Sequence, residues 1–335
     1  MTTKTPALFE NDKEADDVLW TPLLSDTTIA AQMREMWELF HPYADETFVH
    51  NIRKAVRDLR DEKEPGNPVR AHAEILFHRA HWEMTTAVAL LQQGIELVPR
   101  AKWNKAWKGA GPDLWAIVNG RNVWIECVVP GAGTGADAVP EMEGDMKVRS
   151  VPVAQMNLRL LSVFKDKREK WAKYIAMGIT KLEDSYIVAI NGRAMPFGHL
   201  DDDPPWMARV LYGLGWFAVN VNTDTGKFSD AYLTAQPSIP KASKEEIDSR
   251  LFATGAASEV CGVMYSSFNA WNPASTPAIG MKFIHNPTAT YPLPERWLPD
   301  SFSYNAKFNG DSVSISQVVP EDAIAAAKKQ AESKP

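Results

Sequence analysis

Gly111-Pro112-Asp113-Leu114-Trp115-Ala116-Ile117-Val118-Asn119-Gly120-Arg121-Asn122-Val123-Trp124-Ile125-Glu126-Cys127-Val128 is the stretch on which the reading of this chain turns. Asn119-Gly120 lies between two β-rich runs, the strongest short-range signal for a two-residue hairpin loop. Such a loop pairs Val118 with Arg121, and each further pair steps outward by one residue on either strand. Asp113 then stands opposite Glu126. Opposed residues on one face have Cβ atoms roughly 4.5–5.5 Å apart, so two carboxylates there repel unless something cancels their charge. A divalent cation does so, and hard carboxylate oxygens suit Mg²⁺ or Mn²⁺. Strand alternation puts Trp124, Glu126 and Val128 on one face and Ile125, Cys127 and Val129 on the other. Glu126 is therefore a carboxylate in an apolar strand, which needs a partner. Cys127 reads as a core residue rather than a nucleophile.

Upstream, the pattern predicts a long helix from Val69 to Gln93, with Gly94 as its C′ residue and a short strand over Ile95–Val98. Glu64-Pro65-Gly66-Asn67-Pro68 breaks the chain before it. Residues 1–65 are expected to form an irregular arm over 1–25 and two helices. The first is capped within Ser25-Asp26-Thr27 and runs to Phe40, and the second spans 45–61. Downstream, a Gly-, Ala- and Pro-rich loop covers 130–153, and its Gly131-Ala132-Gly133-Thr134-Gly135 lacks the ending and spacing of a phosphate loop. A basic helix follows from Ala154 to Met177, closed by Gly178. Ser185–Ile190 reads as a buried strand, and Trp216–Val221, Glu259–Ser266 and Met281–Ile284 as further strands. Helices are expected near 205–213 and 243–252. Residues 66–320 make the main domain on this reading, and 321–335 a short helix with a disordered tail. The order of elements is that of an α/β layered fold.

Bulk properties narrow the partners. No apolar run approaches the roughly 18 residues that cross a bilayer, and Met1–Glu14 holds no signal-peptide core. Cys127 and Cys261 make no disulfide framework, so a cytoplasmic setting is expected. The net charge of −6 speaks against a general nucleic-acid coat, yet two basic stretches run against it. One holds Arg100, Lys102, Lys105 and Lys108 interleaved with Trp103 and Trp107. The other runs from Lys147 to Lys181 and includes Arg149, Arg159, Lys165, Lys167, Arg168, Lys170 and Lys173. Lys102, Lys105 and Lys108 precede Asp113 closely and are candidate phosphate contacts. Trp103 and Trp107 either stack on bases or anchor the loop. His72, His78 and His81 share the long helix, but without nearby cysteines they do not read as a zinc site.

Gly111-Pro112-Asp113, the hairpin and Ile125-Glu126-Cys127-Val128 together resemble the PD-(D/E)XK motif of restriction-endonuclease-like nucleases. The resemblance covers about residues 70–192. It implies a restriction-endonuclease-like mixed sheet flanked by helices, here with an N-terminal helical extension. It also implies Asp113, Glu126 and the Cys127 backbone carbonyl as metal ligands, with Glu83 on the upstream helix as a further acidic ligand. One position departs from the family: Val128 stands where its lysine orients or deprotonates the attacking water. Several nuclease families carry that lysine on a neighbouring helix, and Leu158 to Lys167 resembles such a helix. Lys167 is the first candidate and Lys170 the second, with Arg159 a candidate phosphate contact. The function implied is a Mg²⁺- or Mn²⁺-dependent nuclease acting on DNA, in defence or repair by analogy. Two alternatives stand beside it. One is a nuclease-like nucleic-acid-binding module that has lost catalysis, for which Val128 speaks. The other is a regulatory subunit whose N-terminal helices dock a protein partner or a second copy. Residues 192–320 acquire no function on this reading.

Overall fold

The computed structural model describes residues 5–19, 27–64, 66–107, 109–142, 150–201, 203–228, 232–309 and 312–320. Its α-helices are α1 (Asp12–Val18), α2 (Ile29–Phe40), α3 (Glu46–Asp61), α4 (Pro68–Gln92), α5 (Val153–Ala176) and α6 (Trp206–Tyr212). Its strands are β1 (Glu96–Leu97), β2 (Leu114–Val118), β3 (Arg121–Val128), β4 (Ser185–Asn191), β5 (Leu214–Ala218) and β6 (Tyr232–Ala235). They continue with β7 (Ser238–Pro240), β8 (Glu246–Asp248), β9 (Gly262–Ser266), β10 (Lys282–His285), β11 (Phe302–Asn309) and β12 (Ser312–Val318).

Local chemistry explains most boundaries. The Asp45 side chain accepts from the Phe48 amide at 2.7 Å and starts α3, where Phe48, Ile52, Ala55, Val56 and Leu59 line one buried face. Asn67 caps α4 with Pro68 at its first position, and Gly94 at φ 76° takes the left-handed turn after its end. Gly178, at φ 67°, does the same for α5.

Eight strands form one mixed sheet in the order β1-β2-β3-β4-β9-β10-β11-β12. β3, β4 and β9 run parallel at its centre, with antiparallel pairs on both sides. Central strands are apolar on both faces, as sheets covered by helices on either side require. Ile125, Ile187 and Ala189 belong to the core cluster under α2–α4, and Trp124, Val188 and Ile190 to the cluster under α5 and α6. The molecule is thus a mixed α/β fold with its sheet buried between helical layers. Helices α1–α3 contribute to the same core cluster as α4 and the sheet. No helix among the described residues is long and apolar enough to cross a membrane.

Three expectations are corrected. The arm over 1–25 is not irregular throughout: Asn11 caps α1, and Arg53 ties the preceding chain by donating to the Leu8 and Ala7 carbonyls. Those anchors lie more than forty residues away, beyond what a local pattern reveals. The cap of α2 is Thr28, whose hydroxyl accepts from the Ala31 amide at 3.0 Å. Residues 243–252 form no helix. Ile247 instead pairs with buried Ile239 in the β7–β8 hairpin, turned by Lys244 at φ 69°, so packing overrides a helix-compatible local sequence. The pair β11–β12 lies where no strand was expected, with Tyr304 and Ala306 turned into the core. The expected helix after Pro320 lies outside the described residues.

Candidate active site

The β2–β3 hairpin turns through Asn119 at φ 50° and Gly120 at φ 74°, the conformation that Asn-Gly favours. Val118 pairs with Arg121 and Leu114 with Ile125 in unbroken register. The next step outward brings Asp113 opposite Glu126. One Asp113 carboxylate oxygen, Oδ2, accepts from the Cys127 amide at 2.6 Å, which closes the end of the hairpin. Arg100 locks the same residue from behind. Its Nη2 donates to the Asp113 carbonyl at 2.7 Å, its Nε to the Tyr43 carbonyl at 3.1 Å, and its guanidinium lies 3.9 Å over Trp103.

Glu126 points from β3 toward α5 and is only 2% exposed. Its Oε1 accepts from the Lys167 and Lys170 ammonium groups, each at 2.7 Å, and its Oε2 from the Tyr174 hydroxyl at 3.0 Å. Residues three and four apart share a helix face, which is why one side of α5 supplies all three donors. The lysines differ in setting: the Lys167 side chain is 14% exposed and the Lys170 side chain 45%.

Glu83 reaches the site from α4. With Asp113, Arg79, Arg100, Asp45 and Asn51 it lines a cavity of about 190 Å³ between α3, α4 and the hairpin. Burial pushes the Glu83 carboxyl well above its ordinary range, and the charge of Asp113 pushes it further. Burial also lifts the Asp113 carboxyl to about 7, with Glu126 adding to the rise and Lys167 opposing it. The Cys127 thiol is raised by burial and then by Asp113, which keeps it protonated and unreactive. Burial and Glu126 likewise raise the Tyr174 hydroxyl, so it remains a donor. Lys170 stays above the usual ammonium value: burial works against its charge, and Glu126 outweighs burial.

The donor set suits a hard divalent cation. Glu83 and Asp113 offer carboxylate oxygens, each held above its ordinary range by burial and by a neighbouring carboxylate, and a cation would relieve that repulsion. Among the described residues, however, no three carboxylate, histidine or cysteine side chains close into a ready cage. Glu126 gives both its oxygens to α5.

Other sequence candidates sit apart from this centre. Lys102 and Lys105 are exposed on the turn before Asp113, and Lys108 lies outside the described residues, as do Lys147 and Arg149. Trp103 and Trp107 pack edge-on against each other and against Trp124, so they anchor the loop rather than present free faces to bases. Arg159 donates from Nε to the Gly131 carbonyl at 2.9 Å and pins the glycine-rich loop. His78 and His81 are half-buried beside Phe77, and loss of solvent drives their imidazoles down to about 4 and about 3. Tyr174 was absent from the candidate set, and could have been found on the α5 wheel, four residues after Lys170. Arg100 stood in the basic stretch expected near phosphate, and the structure instead spends it on the Asp113 and Tyr43 carbonyls. A scan against protein-family models finds no match for this chain, and neither curated proteins nor solved structures match it.

Proposed function

We propose that this chain is a metal-dependent nuclease with a restriction-endonuclease-like core, hydrolysing phosphodiester bonds in DNA. The observation that carries the reading is Lys167. Its ammonium comes from α5 to lie 2.7 Å from the Glu126 carboxylate, beside Asp113, and supplies the charge that Val128 lacks. Glu83, Asp113, Glu126 and the Cys127 carbonyl would hold Mg²⁺ or Mn²⁺, which lowers the pKa of a bound water and neutralises the phosphate. Lys167 then stands ready to orient that water and to stabilise charge on the phosphoryl oxygens. Arg100 and the Cys127 amide keep Asp113 from rotating away. Lys170, at the wetter end of the pair, and Lys102 and Lys105, on the approach, contribute salt-dependent phosphate contacts.

One observation favours a second reading, a nucleic-acid-binding module without catalysis. Glu126 is already neutralised by two lysines and a tyrosine, so the site is electrically complete around that carboxylate without a cation. Incubation of plasmid and linear DNA with Mg²⁺ or Mn²⁺ separates the two. The nuclease reading expects cutting that falls by ~10²–10⁴-fold in Asp113→Ala and in Lys167→Ala, with Lys170→Ala much milder. Wild-type rates in Asp113→Ala would sink it. Salt-sensitive binding without cutting by the wild type would establish the second reading.

A further inference from the structure

The large sheet ends in two edges, and they are built differently. A strand at an edge leaves every second residue's N–H and C=O without a partner strand, which makes it a template for pairing. At one end β1 is two residues long, and Pro99 with the Arg100–Lys102 turn follows at once, so little backbone is open there. At the other end lies β12. It holds seven consecutive pairs with β11, from Ser303 with Val318 to Asn309 with Ser312, without a bulge. Its sequence, Ser312-Val313-Ser314-Ile315-Ser316-Gln317-Val318, carries no charge and no proline. Among the described residues no strand pairs with its outer side, since β6 pairs with β5 in a sheet of its own. Charge, proline, a bulge and shortness are the means by which sheet edges are kept from pairing, and β12 has none of them.

We infer that β12 pairs with β12 of a second copy of this chain, antiparallel about a two-fold axis, and joins the two eight-stranded sheets into one. The strand is complementary to itself. Gln317 donates to the Tyr304 hydroxyl at 2.8 Å, and Val313 and Ile315 are half-buried against the cluster that holds Tyr304, so residues 313, 315 and 317 share the core face. Ser314 and Ser316 are exposed on the other face. With Ile315 on the axis, Val313 stands opposite the partner's Gln317, and Ser314 opposite the partner's Ser316. Core face then continues core face, and the serines lie within reach of each other for hydrogen bonding. Identical chains repel wherever a charge lies close to a two-fold axis, and β12 brings none to it. The outward backbone groups of both copies are satisfied together, as when a strand is added to any sheet edge. Each copy has one long open edge, so the assembly closes at two. The inference rests on β12 and not on the nuclease reading.

The test is sedimentation equilibrium of the full chain over a concentration series, with amide exchange followed at its low and high ends. The mass should rise to twice that of the chain and stop there. Amides of β12 should gain protection with concentration at every second residue, because only the outward N–H groups take part. Ser314→Glu combined with Ser316→Glu sets two pairs of like charges across the axis and should weaken the dimer by about tenfold. Ser314→Glu combined with Ser316→Lys sets opposite charges there and should return the dimer to within about threefold of the wild type. Both double variants alter exposed side chains only. Their melting temperatures, taken where the wild type is monomeric, should match its own, which removes misfolding as a cause. A chain that stays monomeric throughout, or a mass that grows past two, would overturn the inference. A dimer that both variants leave intact would place the contact on another surface and overturn it as well. Equal weakening in the two variants would do the same, since the charges would then not face each other across an axis at Ile315.

Discussion

Two hairpins of this protein have similar local sequence chemistry and different fates. β2–β3 and β5–β6 are both antiparallel, carry aromatic residues on their strands, and are joined by segments containing Asn and Gly. β2–β3 lies inside the eight-stranded sheet, with Val123, Trp124 and Ile125 no more than 1% exposed, and its register is unbroken. β5–β6 forms a sheet of its own, its register shifts between Leu214 and Phe217, and Phe217, Val221 and Phe228 are 54%, 51% and 72% exposed. A one-residue slip exchanges the faces of a strand, so burial on both sides penalises every slip of β3, while solvent tolerates one in β5. Only the first hairpin can hold two carboxylates at a defined separation, and the candidate site is built there.

The largest test of that contrast is truncation of an aromatic residue in each. Trp124 is buried, stacks on Trp115 at 4.7 Å and donates to Asp184 at 2.9 Å. Trp124→Ala should cost about 3–5 kcal/mol in denaturant unfolding, whereas Phe228→Ala should change stability by less than about 0.5 kcal/mol. Equal losses would erase the distinction between the hairpins.

A second test concerns the charge that the rigid hairpin stores. The folded Asp113 carboxyl titrates near 7, above its unfolded value, so the metal-free fold loses stability as pH rises from about 4 and bears the full penalty above 7. Asp113→Asn removes the charge and keeps an acceptor for the Cys127 amide. With allowance for solvent in the cavity, it should stabilise the metal-free protein by about 1–3 kcal/mol at pH 8, with the gain shrinking to nothing near pH 4. Mn²⁺ should raise the melting temperature of the wild type at pH 8 and leave the variant unmoved. A gain independent of pH would mean that Asp113 carries no buried-charge penalty.

The smallest test is in the turns. Gly120, at φ 74°, and Gly226, at φ 66°, both occupy the left-handed region that alanine disfavours. Gly120→Ala should lower global stability by about 1 kcal/mol. Gly226→Ala should leave global unfolding unchanged and speed amide exchange only within β5–β6. Faster exchange throughout the large sheet after Gly226→Ala would show that the outer hairpin is bound into the core's cooperative unit.

Much of the site's frame was legible because it is local. Asn119-Gly120 specifies a turn through the conformations its two residues tolerate, and that turn sets the partners of every residue as far as Asp113 and Glu126. Helix ends at Gly94 and Gly178 follow from the same freedom of glycine. The basic face of α5 was visible as well, but Lys167 and Lys170 reach the same oxygen, and only their unequal burial separates them. Arg100 could not be read as the residue that fixes Asp113, since its role depends on two backbone carbonyls and one ring brought together from different segments. Nor could α1, the β7–β8 hairpin or the β11–β12 pair be read, because each rests on contacts distant along the chain.

By itself, then, the sequence determined the turn, the opposition of two carboxylates and the helices on either side, all set by backbone preferences within a few residues. The tertiary structure alone decided that Glu126 meets α5, that Glu83 and Asp113 share a cavity, and that Arg100 holds Asp113 from behind. Those choices follow from which faces are buried together, and burial belongs to the assembled layers rather than to any one segment.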